Sequence, residues 1–305
     1  MRTRVIAGLL LVPLFILIVL GGTPLYIGEA IIISIALNEF YKAFEQKDIK
    51  PLYYIGYIFS VYLLIKNHLK LSISYTYTLI FILFLISIIS ILRSKRNIID
   101  IVVTFFGIFY VAVLIDFIIL TMDDFSRGNI YVWIIFIISF MTDTFAYFTG
   151  YLFGKHKLIP KVSPKKTVEG SVGGILGSTI ICAFFGYFFK IDLRVIIFLG
   201  FFGSIVAQFG DLFASSIKRY VGIKDYGKII PGHGGILDRF DSVILVAPFV
   251  YSVINLFIKW LSFSYTGAFF VRKLINFILF IKNKNVFEIL MNIVNNNSNN
   301  DIIHK

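Results

Sequence analysis

Apolar runs of about twenty residues succeed one another almost without pause along the chain, the length a helix needs to cross the hydrocarbon core of a bilayer. Nine such runs are predicted as spanning helices: 5–22, 25–44, 51–66, 73–92, 98–121, 130–153, 171–190, 194–213 and 236–258. Lipid cannot satisfy open backbone, so the expected fold class is all-α: a polytopic integral membrane protein of about nine transmembrane helices. Arg2 and Arg4 precede the first run as they would in a signal peptide. No clear small-residue cleavage site follows, and the chain continues into a second span.

Composition agrees. A mean hydropathy of +0.87 with 15% charged residues lies outside the range of soluble domains. A net charge of +12 would point to nucleic acid in a soluble chain. Here the basic residues lie in loops, so topology and anionic lipid headgroups account for most of it, and no nucleic-acid partner is expected. The single cysteine, Cys182, lies inside an apolar run and excludes both an intramolecular disulfide and a Cys-rich metal site.

If the nine runs alternate, Arg2, Arg4, Lys42, Lys47, Lys50, Arg93, Lys95, Arg96 and the loops 155–166 and 218–228 share one side. Basic loops mark the cytoplasm, which places the N-terminus and both long loops there. Lys66 and Lys70 dissent mildly, falling on the opposite side. So does the basic tail after Lys259, which requires either a miscounted span or an amphipathic stretch near 268–294 on the membrane surface.

Charge divides the chain into residues 1–142, mostly lipid-facing helices, residues 143–258, which hold the polar constellations, and an Asn-rich tail, 259–305, expected to be partly disordered. No internal repeat is apparent, which weakens an inverted-repeat transporter reading.

Asp143 in "FMTDTFAYFTG" sits well inside an apolar helix, where a carboxylate costs on the order of 3 kcal/mol and is a site by default. Tyr147 follows one turn later on its face. In the loop "KHKLIPKVSPKKTVEGSVGG", Lys165, Lys166 and Thr167 arrive at a helix start and make a phosphate cradle, with a positive-inside anchor as the bland alternative. The stretch is not a Walker A loop, because GxxxxGK[ST] is absent. "AQFGDLFASSIKRY" aligns Asp211, Ser215 and Lys218 on one helical face.

The densest polar stretch is "GIKDYGKIIPGHGGILDRFD". Gly234 and Gly235 would let backbone approach a ligand closely. A helix from about Ile236 would set Asp238 and Asp241 on one face of its first turns. Carboxylates at a helix start suit the dipole, but so many acids beside two basic loops exceed what capping needs. Oxygen ligands without a His or Cys set suit Mg²⁺ bridged to substrate phosphates, with Lys and Arg neutralising the remaining charge. Residues alone therefore point to metal-assisted phosphoryl or nucleotidyl transfer at the membrane boundary.

"SSIKRYVGIKDYGKIIPGHGGILDRFD", Ser215 to Asp241, resembles the signature of phosphatidate cytidylyltransferases, the CDP-diacylglycerol synthases. "SPKKTVEG" and "TDTFAY" resemble further blocks of that family, over roughly residues 1–258. One departure is Ala214, where many bacterial members carry Glu. The resemblance implies transfer of a cytidylyl group from CTP to phosphatidate, giving CDP-diacylglycerol and pyrophosphate, with Mg²⁺ required and a second ion admissible. It also implies a homodimer; the lack of a long N-terminal extension favours a bacterial inner membrane over an organellar one, and the basic loops set the site toward the cytoplasm.

On that basis Asp211, Asp238 and Asp241 are expected at the metal, with Asp225 as a ligand or orienter. Lys218, Arg219, Lys224, Asp225, His233 and Arg239 form the expected catalytic set, His233 fixing the turn or touching phosphate. Asp143, Lys165, Lys166, Thr167, Ser215, Gly234 and Gly235 are expected at substrate. The rival readings are a transporter, a CDP-alcohol phosphotransferase, whose motif spacing is absent, and a CTP-dependent polyprenol kinase, which would release CDP instead of pyrophosphate.

Overall fold

A computed structural model describes residues 13, 15–93, 96–229 and 234–258. His233, Lys95 and the tail from 259 onward lie outside the described residues, as does most of the first apolar run, of which residues 15–20 are helical. Eight helices follow: α1 Gly22–Glu45, α2 Tyr53–Leu69, α3 Ile73–Arg93, α4 Ile98–Asp124, α5 Gly128–Phe153, α6 Val168–Phe188, α7 Leu193–Val221 and α8 Leu237–Ile258. The described residues up to Val253 belong to one compact unit.

The last six helices, α3 to α8, are long and apolar enough to cross a membrane, and the chain is an integral membrane protein. The runs at 25–44 and 51–66 are helical as expected but fall short of that standard. Glu29, Asn38 and Glu39 lower the hydropathy of α1, and α2 has only 17 residues. α7 outlasts its apolar run by eight residues. Lys218 and Arg219 end the hydropathy signal, but the helix stops only where Gly222 adopts a left-handed φ of 82°.

Between α5 and α6 the chain forms a small hairpin, β1 Lys157–Ile159 against β2 Ser163–Thr167, antiparallel with Lys157 opposite Thr167. Pro160 and Pro164 keep this loop out of helix. Thr167 then caps α6, its Oγ1 accepting from Gly170 N at 3.1 Å.

Among the described residues, α5 and α6 pack against each other more extensively than any other helix pair. A Cβ on Gly170 would lie 2.7 Å from the Ala146 carbonyl oxygen and 2.9 Å from Thr167 Oγ1. Small residues let backbones approach in this way where lipid gives helices no hydrophobic reason to associate. Gly170→Ala is therefore expected to destabilise the protein by about 1–3 kcal/mol, because the atom it meets is backbone and cannot swing aside. A thermal melt in detergent checks this, and a melt unchanged from wild type would refute the contact.

The two dissenting lysines are neutralised. Lys66 is buried and pairs with Asp116 at 2.5 Å, and Asn67 joins Asp116 to Glu29. Lys70 pairs with Asp123. Neither contributes a free positive charge to its loop.

Candidate active site

Three elements bring the polar constellations together: the end of α5 with its hairpin, the middle of α7, and the start of α8. A cavity of about 510 Å³ opens among the first two, within the usual range for a small-molecule site. Asp143 and Tyr147 of α5, Lys165 and Lys166 of β2, and Gln208 and Asp211 of α7 line it. Asp143 and Asp211 each stand ten residues before their helix ends, about 15 Å down the axis. Asp143 is open to the cavity although protein surrounds it.

Lys166 reaches across and pairs with Asp211, tying the hairpin to α7. On the far side of that carboxylate, Ser215 Oγ donates to Asp211 Oδ1 at 3.2 Å. Ser171 Oγ donates to Gln208 Oε1, and Gln208 Nε2 returns a bond to the Ser171 carbonyl at 3.2 Å, so α6 and α7 are pinned beside the same space. Thr167 is buried and spends its hydroxyl on the helix cap.

The signature residues divide into two groups. Asp238 is buried with both its oxygens engaged by protein. Oδ1 accepts from Lys218 Nζ at 2.8 Å, while Oδ2 accepts from Tyr226 N at 2.8 Å and Gly235 N at 2.9 Å. Lys218, at 7% exposure, is no headgroup anchor. Gly234 takes a φ of 84°, and a Cβ there would meet Asp238 Oδ2 at 2.6 Å. Asp241, one turn on, accepts from Ser242 N at 2.9 Å, and its charge feels the carboxylates of both Asp211 and Asp143. The positive charges of Lys166 and Arg239 act on Asp143. Three carboxylates thus share one region with the cations that offset them.

Other signature residues lie apart. Arg219 is exposed and donates to the carbonyls of Val162 and Ile223, bracing the hairpin against the end of α7. Lys224 and Asp225 are exposed in the following loop. Ala214 is fully buried and its carbonyl receives the Tyr226 hydroxyl at 3.2 Å, so this position is a packing contact here.

Two residues escaped the sequence reading. Glu39 of α1 accepts from Ile236 N at 3.1 Å and Leu237 N at 2.8 Å, capping α8 from the other half of the chain. Gly227 and Gly235 leave room for it: a Cβ on either would stand within 2.3 Å of Glu39 Oε1. The glycine pair thus admits two of the protein's own carboxylates, Asp238 at Gly234 and Glu39 at Gly235. Tyr110, buried in α4, is the other. An acid or tyrosine inside an apolar run was the available signal for both.

The match to known proteins decides the family. The sequence profile of the cytidylyltransferase family covers residues 2–257. This chain belongs to the cytidylyltransferase family. Phosphatidate cytidylyltransferase of Staphylococcus aureus (strain COL) is 34% identical over 254 residues, 81% of this chain and 96% of that protein. The protein of the same name from Staphylococcus haemolyticus is 34% identical over 257 residues, 81% of this chain and 94% of that protein. A third, from Staphylococcus epidermidis, is 49% identical over a shorter 127 residues, 40% of this chain and 48% of that protein. Within this cytidylyltransferase the signature therefore builds a folded junction of α7 and α8 in addition to a row of exposed polar groups.

Proposed function

We propose that the protein transfers the cytidylyl group of CTP to phosphatidate, releasing pyrophosphate and forming CDP-diacylglycerol. The observation that carries this is the gathering of Asp143, Asp211, Lys165 and Lys166 around one cavity, with Asp241 and Arg239 near enough to act on its carboxylates, in a chain whose relatives bear that activity by name. A phosphatidate oxygen, already anionic near neutral pH, attacks the α-phosphorus of CTP. A new P–O bond forms there as the bond to the β-phosphate oxygen breaks, and that oxygen leaves with its electron pair on pyrophosphate. No activated Ser or Cys is needed. The barrier is electrostatic, and cationic side chains lower it by positioning two anions and stabilising charge as it shifts.

The donor set fits Mg²⁺. Among the described residues no three His, Cys, Asp or Glu side chains converge to hold a metal by themselves. Mg²⁺ is commonly bound by one or two carboxylates with phosphates and water completing the shell. Asp211 and Asp241, with Asp143 in support, would hold it, and it would supply positive charge to offset that of the phosphates of CTP. Asp238, its oxygens engaged, acts instead by setting the start of α8. Lys165 and Lys166 carry phosphate charge at the cavity wall. The hairpin and cavity face the cytoplasm, where CTP is found, across a bacterial inner membrane.

CTP labelled at its α-phosphate, mixed with phosphatidate micelles, protein and Mg²⁺, is expected to pass label into the organic phase while pyrophosphate is released. Excess chelator stops it. Label entering lipid from γ-labelled CTP, with CDP released, would overturn the reading in favour of a lipid kinase.

A further inference from the structure

Resting on the proposed cytidylyl transfer, a residue of the N-terminal half, outside every signature block, belongs to the active site. Within α4 the residues Ile108–Val113 are π-helical, a distortion that turns up often at functional sites. Tyr110 stands in the middle of that stretch at 2% exposure. Its ring is fixed on several sides, stacked on Phe106 at 5.7 Å and 10° and met edge-on by Phe213 at 5.4 Å. Its hydroxyl has no hydrogen-bond partner among the described residues. Yet it lies close enough to Asp241 and Asp211 to feel the charge of both.

A buried hydroxyl without a partner costs stability, about 1–3 kcal/mol, and native proteins seldom leave one without reason. The two usual remedies fail here. The nearby carboxylates are not in hydrogen-bonding position, and Tyr110 belongs to neither of the ion-pair networks of α1 and α2. A second buried hydroxyl, Ser242 Oγ, next to Asp241 in sequence, is also without a partner among the described residues. Two unmet hydroxyls close to the same carboxylates point to a ligand as their partner.

We infer that the Tyr110 hydroxyl donates a hydrogen bond to a phosphoryl oxygen of substrate bound beside Asp211 and Asp241. A neutral donor suits that place. It binds phosphate without cancelling the carboxylate charge that a cation needs, and the π-helical turn holds it in position before substrate arrives. The two phosphates that could receive it, on CTP or on phosphatidate, share this chemistry and are separable by kinetics.

The variant is Tyr110→Phe, which deletes one oxygen and keeps the ring contacts. In the absence of ligand it is expected to melt at or above the wild-type temperature, since it loses an unmet polar group. Its kcat for cytidylyl transfer is expected to fall at least tenfold, and CTP or phosphatidate should stabilise it less than wild type in the same melt. A rise in KM confined to one substrate identifies the phosphate concerned. A kcat within twofold of wild type would overturn the inference. So would an apo melting point below wild type with activity lost only in proportion to folded protein, which would mean the hydroxyl is a structural partner. A wild-type protein that transfers no label would instead sink the proposed function; pyrophosphate-induced melting shifts, compared between the two proteins, would then still decide on Tyr110.

Discussion

Asp238→Asn abolishes transfer, by about a thousandfold or more in kcat, and lowers the melting temperature at the same time. The reason is local. Oδ2 holds the amides of Tyr226 and Gly235, so the carbonyl of an Asn would take that side. Its NH₂ would then face the Lys218 ammonium, donor against donor, where Oδ1 accepts now. A buried lysine stripped of its counter-charge costs about 3–5 kcal/mol. The double variant Lys218→Gln, Asp238→Asn separates the two effects. Its amides can bond each other while the Asn carbonyl still serves both backbone donors, so most of the stability should return. Activity should not, because the charge that orders the start of α8 is gone. Label transfer and thermal melts on the two variants check this, and recovery of turnover in the double variant would show that the pair is only structural.

Asp211→Asn gives the opposite combination: at least a hundredfold loss of kcat with little change in melting. Asp211 is only partly buried, its side chain 19% exposed, and Lys166 at 28% can turn to solvent when the pair is lost. Ser215 can still donate to the amide oxygen. What disappears is one negative charge at the junction of cavity and α8, and with it the oxygen proposed to hold Mg²⁺. The Mg²⁺ concentration for half-maximal rate should rise. Unchanged Mg²⁺ dependence with unchanged kcat would remove Asp211 from the site.

Much of this was legible in sequence because the signature is contiguous and membrane helices announce themselves by hydropathy. The runs at 98–121 and 130–153 became α4 and α5 with boundaries shifted by three residues or fewer. Asp143 and Asp211 could be named from their placement in apolar runs, and Asp241 from the dense polar stretch that ends on it. What sequence could not supply was partnership. Asp238 and Asp241 read as equivalent acids on one helix face, yet one is consumed by Lys218 and two amides while the other meets carboxylates. Arg219 read as a phosphate ligand and Lys218 as an equal beside it, although Arg219 binds carbonyls at the surface and Lys218 is buried. Glu39 and Tyr110 carried the same signal as Asp143, a polar group in an apolar run. It was overlooked because the first half of the chain has no dense motif to draw attention. The hairpin between α5 and α6 was missed for a different reason: three- and five-residue strands are too short for an alternating pattern.

The Glu39 clasp bears on how the protein comes into being. Its two hydrogen bonds join residues 197 and 198 positions apart, one partner in the first described long helix and the other at the start of the last. During synthesis the acid enters the membrane long before the amides it caps exist, and the junction that sets Asp238 and Asp241 closes only once α8 has been made. Catalytic competence is therefore a late event in the birth of the chain. A ribosome stalled anywhere short of α8 leaves a membrane-embedded but inert bundle, which spares the cell a partly built enzyme acting on its CTP.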